Sequence, residues 1–301
     1  MKKEKNFFLS FDFDSIDWEK MSRDSYEIDR SCPENFSNWV HEIKSYGKFS
    51  HAKIINNQIL TFEELRIFEE SKPDDSGWEK MKQILKPSLD KMEDNKNYSI
   101  KTGTFSNKFS FHTSIANKSN LATKFWYLNQ VGGPDVGHSE IVIREYIENT
   151  DNTGNTPTIY HGLPLREEVR VFYHLERKKM IAIGDYWDYE SCINGIDEED
   201  KACFNMFHNL EGNRTFIHGR ILEAVISKVK EDIVGLELSD RLKEIEEVWS
   251  IDFMPIIDFS KIRPNSSMEE IKANMKIYLI DMARGSTSYY NDKIHTSWNK
   301  V

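Results

Sequence analysis

Two carboxylates occur at the limits of apolar runs late in the chain. Asp252 belongs to the run Trp249-Ser250-Ile251-Asp252-Phe253-Met254, and Asp281 ends the run that starts at Lys276. Both runs predict strands. If the strands are neighbours, the two acids converge and offer oxygen ligands to Mg²⁺, which usually keeps phosphate oxygens in its shell as well. Alternatively, each acid is only the first solvated residue after a strand.

A charged strand face is predicted further upstream. In Arg166-Glu167-Glu168-Val169-Arg170-Val171-Phe172, strand alternation places Glu168 and Arg170 on one face and the valines on the other. The planar guanidinium of Arg170 is suited to phosphate, which makes it a candidate for phosphate binding and catalysis. A surface ladder between Glu168 and Arg170 explains the same pattern.

Two lysines flank a small, hydroxyl-rich loop. Lys101 follows a predicted strand, and the loop that begins at Thr102 ends at Lys108. A lysine in this position can reach phosphates while the loop closes over them. Either residue can equally be a surface lysine.

A fourth group of candidates lies at the end of the apolar run that starts at Glu140. Backbone groups where such a strand stops can hydrogen-bond an adenine edge, and an acid just beyond can bind ribose hydroxyls. The candidates are Glu145, Tyr146, Ile147 and Glu148. An ordinary strand end is the alternative.

Common site motifs are missing from the sequence. It contains no GxxxxGK[ST], GxGxxG, HExxH or GxSxG pattern. Phosphate binding would therefore use side chains on strands rather than a glycine-rich loop. The histidines show no ligand spacing, so we expect core or surface roles for them: His112, His138, His161, His174, His208 and His218.

Composition limits the class of protein. The 301 residues are 39% hydrophobic and carry a net charge of −10, which predicts a folded protein without broad binding to nucleic acid or anionic membranes. Cys32, Cys192 and Cys203 are odd in number and lack CxxC spacing, so we expect free thiols and a cytoplasmic location. We expect neither a signal peptide nor a membrane helix.

The elements that must position these residues follow from periodicity. Residues 1–95 are predicted to be α-rich, with helices at 60–70 and 78–92 and a kink or break at Pro87, near the end of the second helix. A hairpin is predicted from strands at 98–103 and 109–112, followed by a helix at 121–128 that ends at Gly132-Gly133-Pro134. Residues 149–155 are predicted to form a loop.

The second half of the sequence predicts a β-sheet accompanied by helices. Strands at 169–174 and 179–183 form an antiparallel hairpin, and helices follow at 216–229 and 238–248. The chain then closes with the two acid-bearing strands, which flank a helix at 268–274.

The succession of these motifs resembles the ATP-grasp superfamily over about residues 98 to 290. The run Ile-Val-Ile-Arg-Glu-Tyr-Ile-Glu, then Glu-Glu-Val-Arg-Val-Phe, Ser-Ile-Asp-Phe and Tyr-Leu-Ile-Asp-Met-Ala, is also similar to the branch that contains the translation-initiation-factor assembly chaperones and uncharacterised bacterial and phage proteins. The resemblance implies an α+β fold in which two subdomains with antiparallel sheets grip a nucleotide. The small subdomain would span 96–147 and the large one 148–301, after the N-terminal part at 1–95.

The resemblance implies a site for ATP and Mg²⁺. Lys101, Lys108 and Arg170 would bind phosphate, the 145–147 backbone adenine, Glu148 ribose, and Asp252 and Asp281 Mg²⁺. Many members end with Glu-x-Asn, whereas this chain has Asp281-Met282-Ala283, so the metal site would have fewer ligands or Arg284 would contact a substrate or product phosphate.

Two functions follow from the resemblance. The first is an ATP-dependent ligase that joins a carboxylate to an amine through an acyl phosphate, with Arg170 and Arg284 as catalytic residues. The second is an ATP-binding assembly factor for a protein partner, with little turnover. The small-molecule or protein substrate is not specified by the sequence. A third interpretation keeps the α+β fold and makes the charged strand faces structural.

Overall fold

The computed structural model describes residues 17–73, 75–104, 107–131, 138–148, 156–210 and 218–288 of the chain. The helices are α1 (Trp18–Ser31), α2 (Phe36–Trp39), α3 (Phe62–Glu70), α4 (Ser76–Leu89), α5 (Leu121–Val131), α6 (Tyr189–Cys192), α7 (Lys201–Phe207), α8 (His218–Asp232), α9 (Arg241–Ile245) and α10 (Met268–Ala273). The strands are β1 (Ile43–Ser45), β2 (Ser50–His51), β3 (Ile54–Ile59), β4 (Tyr98–Lys101), β5 (Ile115–Ala116), β6 (Glu140–Glu145), β7 (Thr158–Ile159), β8 (Leu163–Pro164), β9 (Val169–His174), β10 (Lys179–Asp185), β11 (Glu237–Leu238), β12 (Val248–Ile257) and β13 (Met275–Arg284).

Two sheets organise this mixed α+β fold. The larger sheet has the order β10-β9-β12-β13-β2 and is antiparallel except for the β13–β2 pair. The smaller sheet has the order β3-β6-β4-β5 and is antiparallel throughout. β2 and β3 precede residue 96, so strands from both sides of the predicted boundary at 95 share each sheet. The domain division stays a prediction.

The larger sheet buries one face against α8 and α10. Val169 and Val171 of β9 and Ile251 and Phe253 of β12 pack in one core with Val225 and other residues of these helices. Because side chains alternate across a strand, the intervening residues point to the other face. That face carries Arg170 and Asp252, as the alternation predicts.

The smaller sheet buries its outer face against α3, α4 and α5. Ile100 of β4 and Ile143 of β6 belong to this second core, together with Phe68, Leu85 and Phe125. The neighbouring positions of the same strands, Lys101 and Arg144, therefore lie on the opposite face. Both contact the larger sheet, so the charged faces of the two sheets are turned toward each other.

Several predicted elements are confirmed. The helix predicted at 60–70 is α3, the strand that starts at Glu140 is β6, and the hairpin of β9 and β10 is antiparallel. The closing strands are neighbours, with Asp252 directly opposite Asp281. The N-terminal part is α-rich as expected, with α1, α3 and α4 separated by short strands.

The second predicted helix is α4, which contains Pro87 and ends two residues later at Leu89. Three predictions about elements are wrong. Residues 108–113 form a 3-10 helix instead of a strand, and β4 pairs with β5. Only α9 is helical within 238–248. The closing strands continue past both acids, to Ile257 and Arg284, because apolar residues of each strand still pair with the neighbouring strand.

Some predictions lie outside the described residues, namely the Gly132-Gly133-Pro134 helix end, the loop at 149–155 and residues 216–217 of a predicted helix. Among the helices that the structure describes, none combines the length and the apolar character needed to cross a membrane.

Candidate functional site

A cavity of about 160 Å³ lies between the two sheets. Residues from β4, β6, β12 and β13 line it, together with the segments before β5, around β8 and after β10. The lining residues are Ala52, Ser99, Lys101, Lys108, Phe111, Ser114, Arg144, Glu145, Tyr146, Ile147, Leu163, Pro164, Arg166, Glu168, Trp187, Asp252, Met254, Ile280 and Asp281. Charged side chains from both sheets thus share one cavity with an apolar portion.

Three charged residues form a row across the larger sheet. Asp252 on the central strand β12 lies directly opposite Arg170 of β9 on one side and Asp281 of β13 on the other. Directly paired residues of an antiparallel sheet point to the same face, with Cα atoms about 5 Å apart. The row therefore presents one guanidinium and two carboxylates on the face toward the smaller sheet.

Arg170 and Asp252 form a bidentate ion pair. Arg170 Nε donates to Asp252 Oδ1 over 2.7 Å, and Arg170 Nη2 donates to Oδ2 over 2.8 Å. The side chains are only 13% and 10% exposed, so the pair is largely withdrawn from water. This two-point geometry is among the stronger interactions that a carboxylate makes.

Lys101 connects the smaller sheet to the end of this row. Its Nζ lies 3.3 Å from Asp281 Oδ1 and 3.2 Å from Oδ2, and the lysine side chain is 4% exposed. Burial lowers the pKa of Lys101, and Asp281 counteracts part of that shift. Burial alone would raise the pKa of Asp281, but Lys101 and Arg144 outweigh it and hold the pKa below its usual value.

Arg144 is a second link between the sheets, and the sequence analysis did not single it out. Its Nη1 donates to the carbonyl oxygen of Ile280 over 2.7 Å. The guanidinium carbon also lies 5.3 Å from the ring centroid of Phe36. Strand alternation could have identified Arg144 from the sequence. Ile141 and Ile143 are buried in the core of the smaller sheet, so Arg144, the next residue, lies on the face toward the cleft.

Lys108 and Arg170 are joined through Tyr186, which sequence reasoning also missed. Lys108 Nζ donates to the hydroxyl oxygen of Tyr186 and lies 4.5 Å from its ring centroid. Arg170 lies over the same ring at 4.7 Å. A cation over an aromatic face is attracted by the ring quadrupole. Tyr186 thereby holds both cations beside Asp252.

Glu168 is a buried carboxyl group of the cavity whose pKa is raised. Its pKa is raised to about 7 because burial disfavours the charged form, although Lys108 acts in the opposite direction. The residue is 8% exposed and lines the cavity. A buried carboxyl that exchanges its proton near neutral pH can act as a general acid or base.

The residues after β6 surround an apolar part of the cavity. Ile147 O accepts a hydrogen bond from Arg166 Nη2 over 3.0 Å, and Arg166 Nη1 lies 2.8 Å from the sulfur of Met254. The rings of Phe111 and Tyr146 lie 6.5 Å apart. These flat and apolar groups form a surface that a planar heterocycle can contact.

Most of the candidates named from the sequence come together here. Lys101, Lys108, Asp252 and Asp281 line the cavity, as do the residues at 145–147, and Arg170 adjoins it through Asp252. Glu148 is exposed and is not among the lining residues.

Arg284 also lies outside the cavity. Its Nε donates to Glu34 Oε1, and the same oxygen accepts from the Thr287 hydroxyl over 2.9 Å. The structure therefore does not bring Arg284 to the other candidates.

Asp252 and Asp281 are suited to bind a magnesium ion that also binds phosphate. They would be its only carboxylate ligands. They are adjacent, their oxygens are hard ligands, and Mg²⁺ is commonly held by one or two carboxylates plus phosphate oxygens and waters. Both acids are neutralised by a cation in this structure. Glu168 does not join Asp252 and Asp281 in a cluster of three metal-ligating side chains among the described residues.

Comparisons with known proteins add little to this site. No protein-family model and no curated protein matches the chain. Among solved structures, C-terminally truncated Cdc123 from Schizosaccharomyces pombe is similar, with a TM-score of 0.43, 11% sequence identity and 91% of each chain covered. At that identity and score, the similarity assigns no role to any residue of this chain.

Proposed function

We propose that this protein binds ATP with Mg²⁺ in the cavity between its two sheets. The observation that carries the proposal is the row Arg170–Asp252–Asp281, which faces the buried Lys101 of the other sheet. Cations and adjacent carboxylates on one protected surface are the combination that a metal-bound polyphosphate requires.

Each group has a role in the proposal. Lys101, Lys108 and Arg144 supply positive charge for the phosphates, while Asp252 and Asp281 would hold Mg²⁺. The metal would neutralise phosphate charge. Nucleotide binding would exchange the contact between Lys101 and Asp281 for a contact of Lys101 with phosphate. Tyr146, Ile147 and the neighbouring apolar groups would receive the adenine.

Of the two functions open to such a site, the assembly factor with little turnover is favoured. The ligase requires groups that act on the transferred phosphoryl group, and Arg284, one of the two predicted for that task, pairs with Glu34 outside the cavity. Arg170, the other, is neutralised by Asp252. These contacts support nucleotide binding more directly than phosphoryl transfer.

The ligase remains the second candidate on the strength of Glu168. A buried carboxyl at the cavity, with a pKa raised to about 7 by burial, suits a base that takes a proton from an attacking amine. Measurement of ADP release separates the two functions. An assembly factor holds ATP and releases little ADP, whereas a ligase releases ADP and phosphate when its carboxylate and amine substrates are supplied.

The binding test is calorimetric titration with a non-hydrolysable ATP analogue, with and without Mg²⁺. We expect Mg²⁺-dependent binding to the wild-type protein, at least about tenfold weaker binding to Lys101→Ala, and loss of the Mg²⁺ effect in Asp281→Asn. The matched controls are Lys86→Ala and Asp90→Asn, which remove an exposed ion pair on α4. Thermal unfolding establishes that each variant is folded.

Two outcomes contradict the proposal. The first is a folded wild-type protein that does not bind the analogue. The second is equal affinity of Lys101→Ala and Lys86→Ala for the analogue, which would mean that the nucleotide does not bind in this cavity.

A further inference from the structure

Three side chains that could hold a metal ion meet beside the cavity wall. Asp185 ends β10, His208 follows α7 and His218 begins α8. One ligand atom from each lies within 4.8 Å of the others, and His218 Nε2 is 3.1 Å from Asp185 Oδ2. The sequence predicted only core or surface roles for these histidines. That expectation missed the cluster because tertiary packing, rather than a short spacing motif, brings the residues together.

A buried nitrogen in this cluster has no hydrogen-bond partner. Nε2 of His208 is inaccessible to water and unpaired, although the imidazole lies 4.7 Å from the ring of His218. Burying a polar atom without a partner costs free energy, so such an atom needs an explanation. Phe204 and Phe207 pack against the His208 ring at 4.7 and 5.0 Å and restrict its orientation.

The other two side chains are also held in place. The backbone N–H of Trp187 donates to Asp185 Oδ1 over 3.0 Å, and Oδ2 of the same carboxylate lies next to His218. Glu167 Oε1 lies 3.5 Å from Nδ1 of His218, on the opposite side of that imidazole. A carboxylate behind a ligating histidine is the usual second partner that orients the ring toward a metal.

An ion pair alone explains only part of this arrangement. It accounts for the contacts of His218, which lies between Asp185 and Glu167. It does not account for His208, whose Nε2 is buried without a hydrogen-bond partner, although a ring nitrogen of His208 lies within 4.8 Å of the ligand atoms of Asp185 and His218.

We propose that Asp185, His208 and His218 bind a Zn²⁺ ion. Two imidazole nitrogens and one carboxylate oxygen suit Zn²⁺ and disfavour Mg²⁺ or Ca²⁺, which take oxygen ligands. Ligand atoms on one tetrahedral Zn²⁺ are roughly 3.3 Å apart, which agrees with the 3.1 Å between His218 and Asp185. A water molecule would complete the shell.

Such an ion would join β10, α7 and α8 beside the candidate nucleotide cavity. Asp185 precedes Tyr186, which contacts Lys108, and Glu167 precedes Glu168. The zinc would thereby fix the backbone of two residues that shape the charged part of the cavity. The proposal does not depend on nucleotide binding.

The test uses the untagged full chain after removal of metals with a chelator. Zn²⁺ is titrated by calorimetry, and Co²⁺ is titrated as a spectroscopic substitute whose visible absorption reports tetrahedral coordination. We expect one ion per chain, with loss of more than about 100-fold in affinity in His208→Gln and about 10- to 100-fold in Glu167→Gln. The control His174→Gln alters another buried histidine, which pairs with Glu247, and should bind like the wild type.

His208→Gln is the decisive variant because His218→Gln also removes the side chain that lies between Asp185 and Glu167 and can fail to fold. The proposal is overturned if the folded wild-type protein binds no Zn²⁺ at micromolar concentration. It is equally overturned if His208→Gln and His174→Gln bind Zn²⁺ alike, because the ion would then lie elsewhere. Circular dichroism and thermal unfolding verify the fold of each variant.

Discussion

Arg144 donates a 2.7 Å hydrogen bond to the carbonyl oxygen of Ile280, at the point where the pairing of β12 and β13 is irregular. Asp252 pairs with Asp281, but the next residue of β12, Phe253, pairs with Leu279. Ile280 is therefore the extra residue of a β-bulge, whose backbone leaves the regular ladder. The smaller sheet supplies the donor for this carbonyl group and so binds the larger sheet at the cavity.

Replacing Arg144 with leucine should destabilise the protein by about 1–3 kcal/mol. The substitution keeps an apolar contact with Phe36 but leaves the carbonyl of Ile280 without this donor inside the cleft. Urea unfolding measures the effect. Arg66→Leu, which removes an exposed pair with Glu70 on α3, should change stability by less than about 1 kcal/mol. Equal effects of the two substitutions would contradict a structural role of the Ile280 contact.

Replacing Arg170 with methionine should destabilise the protein by about 3–5 kcal/mol. Asp252 would remain buried without its bidentate partner, and an uncompensated buried charge is costly. The double variant Arg170→Met with Asp252→Asn should recover much of the loss, since the unpaired charge is gone. Denaturant unfolding of both single variants and the double variant measures the coupling.

Additive effects in that cycle would show that the two side chains do not stabilise each other. The variant Arg170→Lys provides the intermediate case. It keeps the positive charge but loses the planar two-point geometry, so we expect a smaller destabilisation than with methionine.

The stability contributed by Glu168 should depend on pH. Its pKa is raised to about 7 in the folded protein because burial disfavours the carboxylate, so the folded state holds the proton more tightly than the unfolded state. This contribution is fully present below about pH 4.5 and is lost as the pH rises through about 7. Relative to Glu168→Gln, the wild-type free energy of unfolding should fall by about 3 kcal/mol between about pH 4.5 and pH 8.

Glu148→Gln is the matched control for Glu168→Gln, since it removes an exposed carboxyl group from the segment after β6. The change with pH of the difference from the wild type should be larger for Glu168→Gln than for Glu148→Gln over the same range. A constant difference for Glu168→Gln would mean that the buried carboxyl does not change its protonation between these pH values.

Local patterns in the sequence were sufficient for much of the large sheet. The alternation of Val169, Arg170 and Val171 predicted which side chains enter the core, because only one face of β9 packs against helices. Two apolar runs predicted strands that carry Asp252 and Asp281, and the condition for the convergence of the two acids, that these strands are neighbours, is met in the structure. The stretch 109–112 was predicted as a strand from its alternation, yet it forms a 3-10 helix, and the short β5 that follows is the partner of β4.

The sequence by itself determined the chemical types on the cleft face, since the period of a strand decides which residues leave the core. It could not determine their partners. The contact of Lys101 with Asp281 joins residues 180 positions apart. Arg284 pairs with Glu34 and does not reach the cavity. The cluster of Asp185, His208 and His218 likewise exists only after β10, α7 and α8 have packed. Tertiary structure decided these contacts because they depend on how whole elements pack, which local periodicity does not encode.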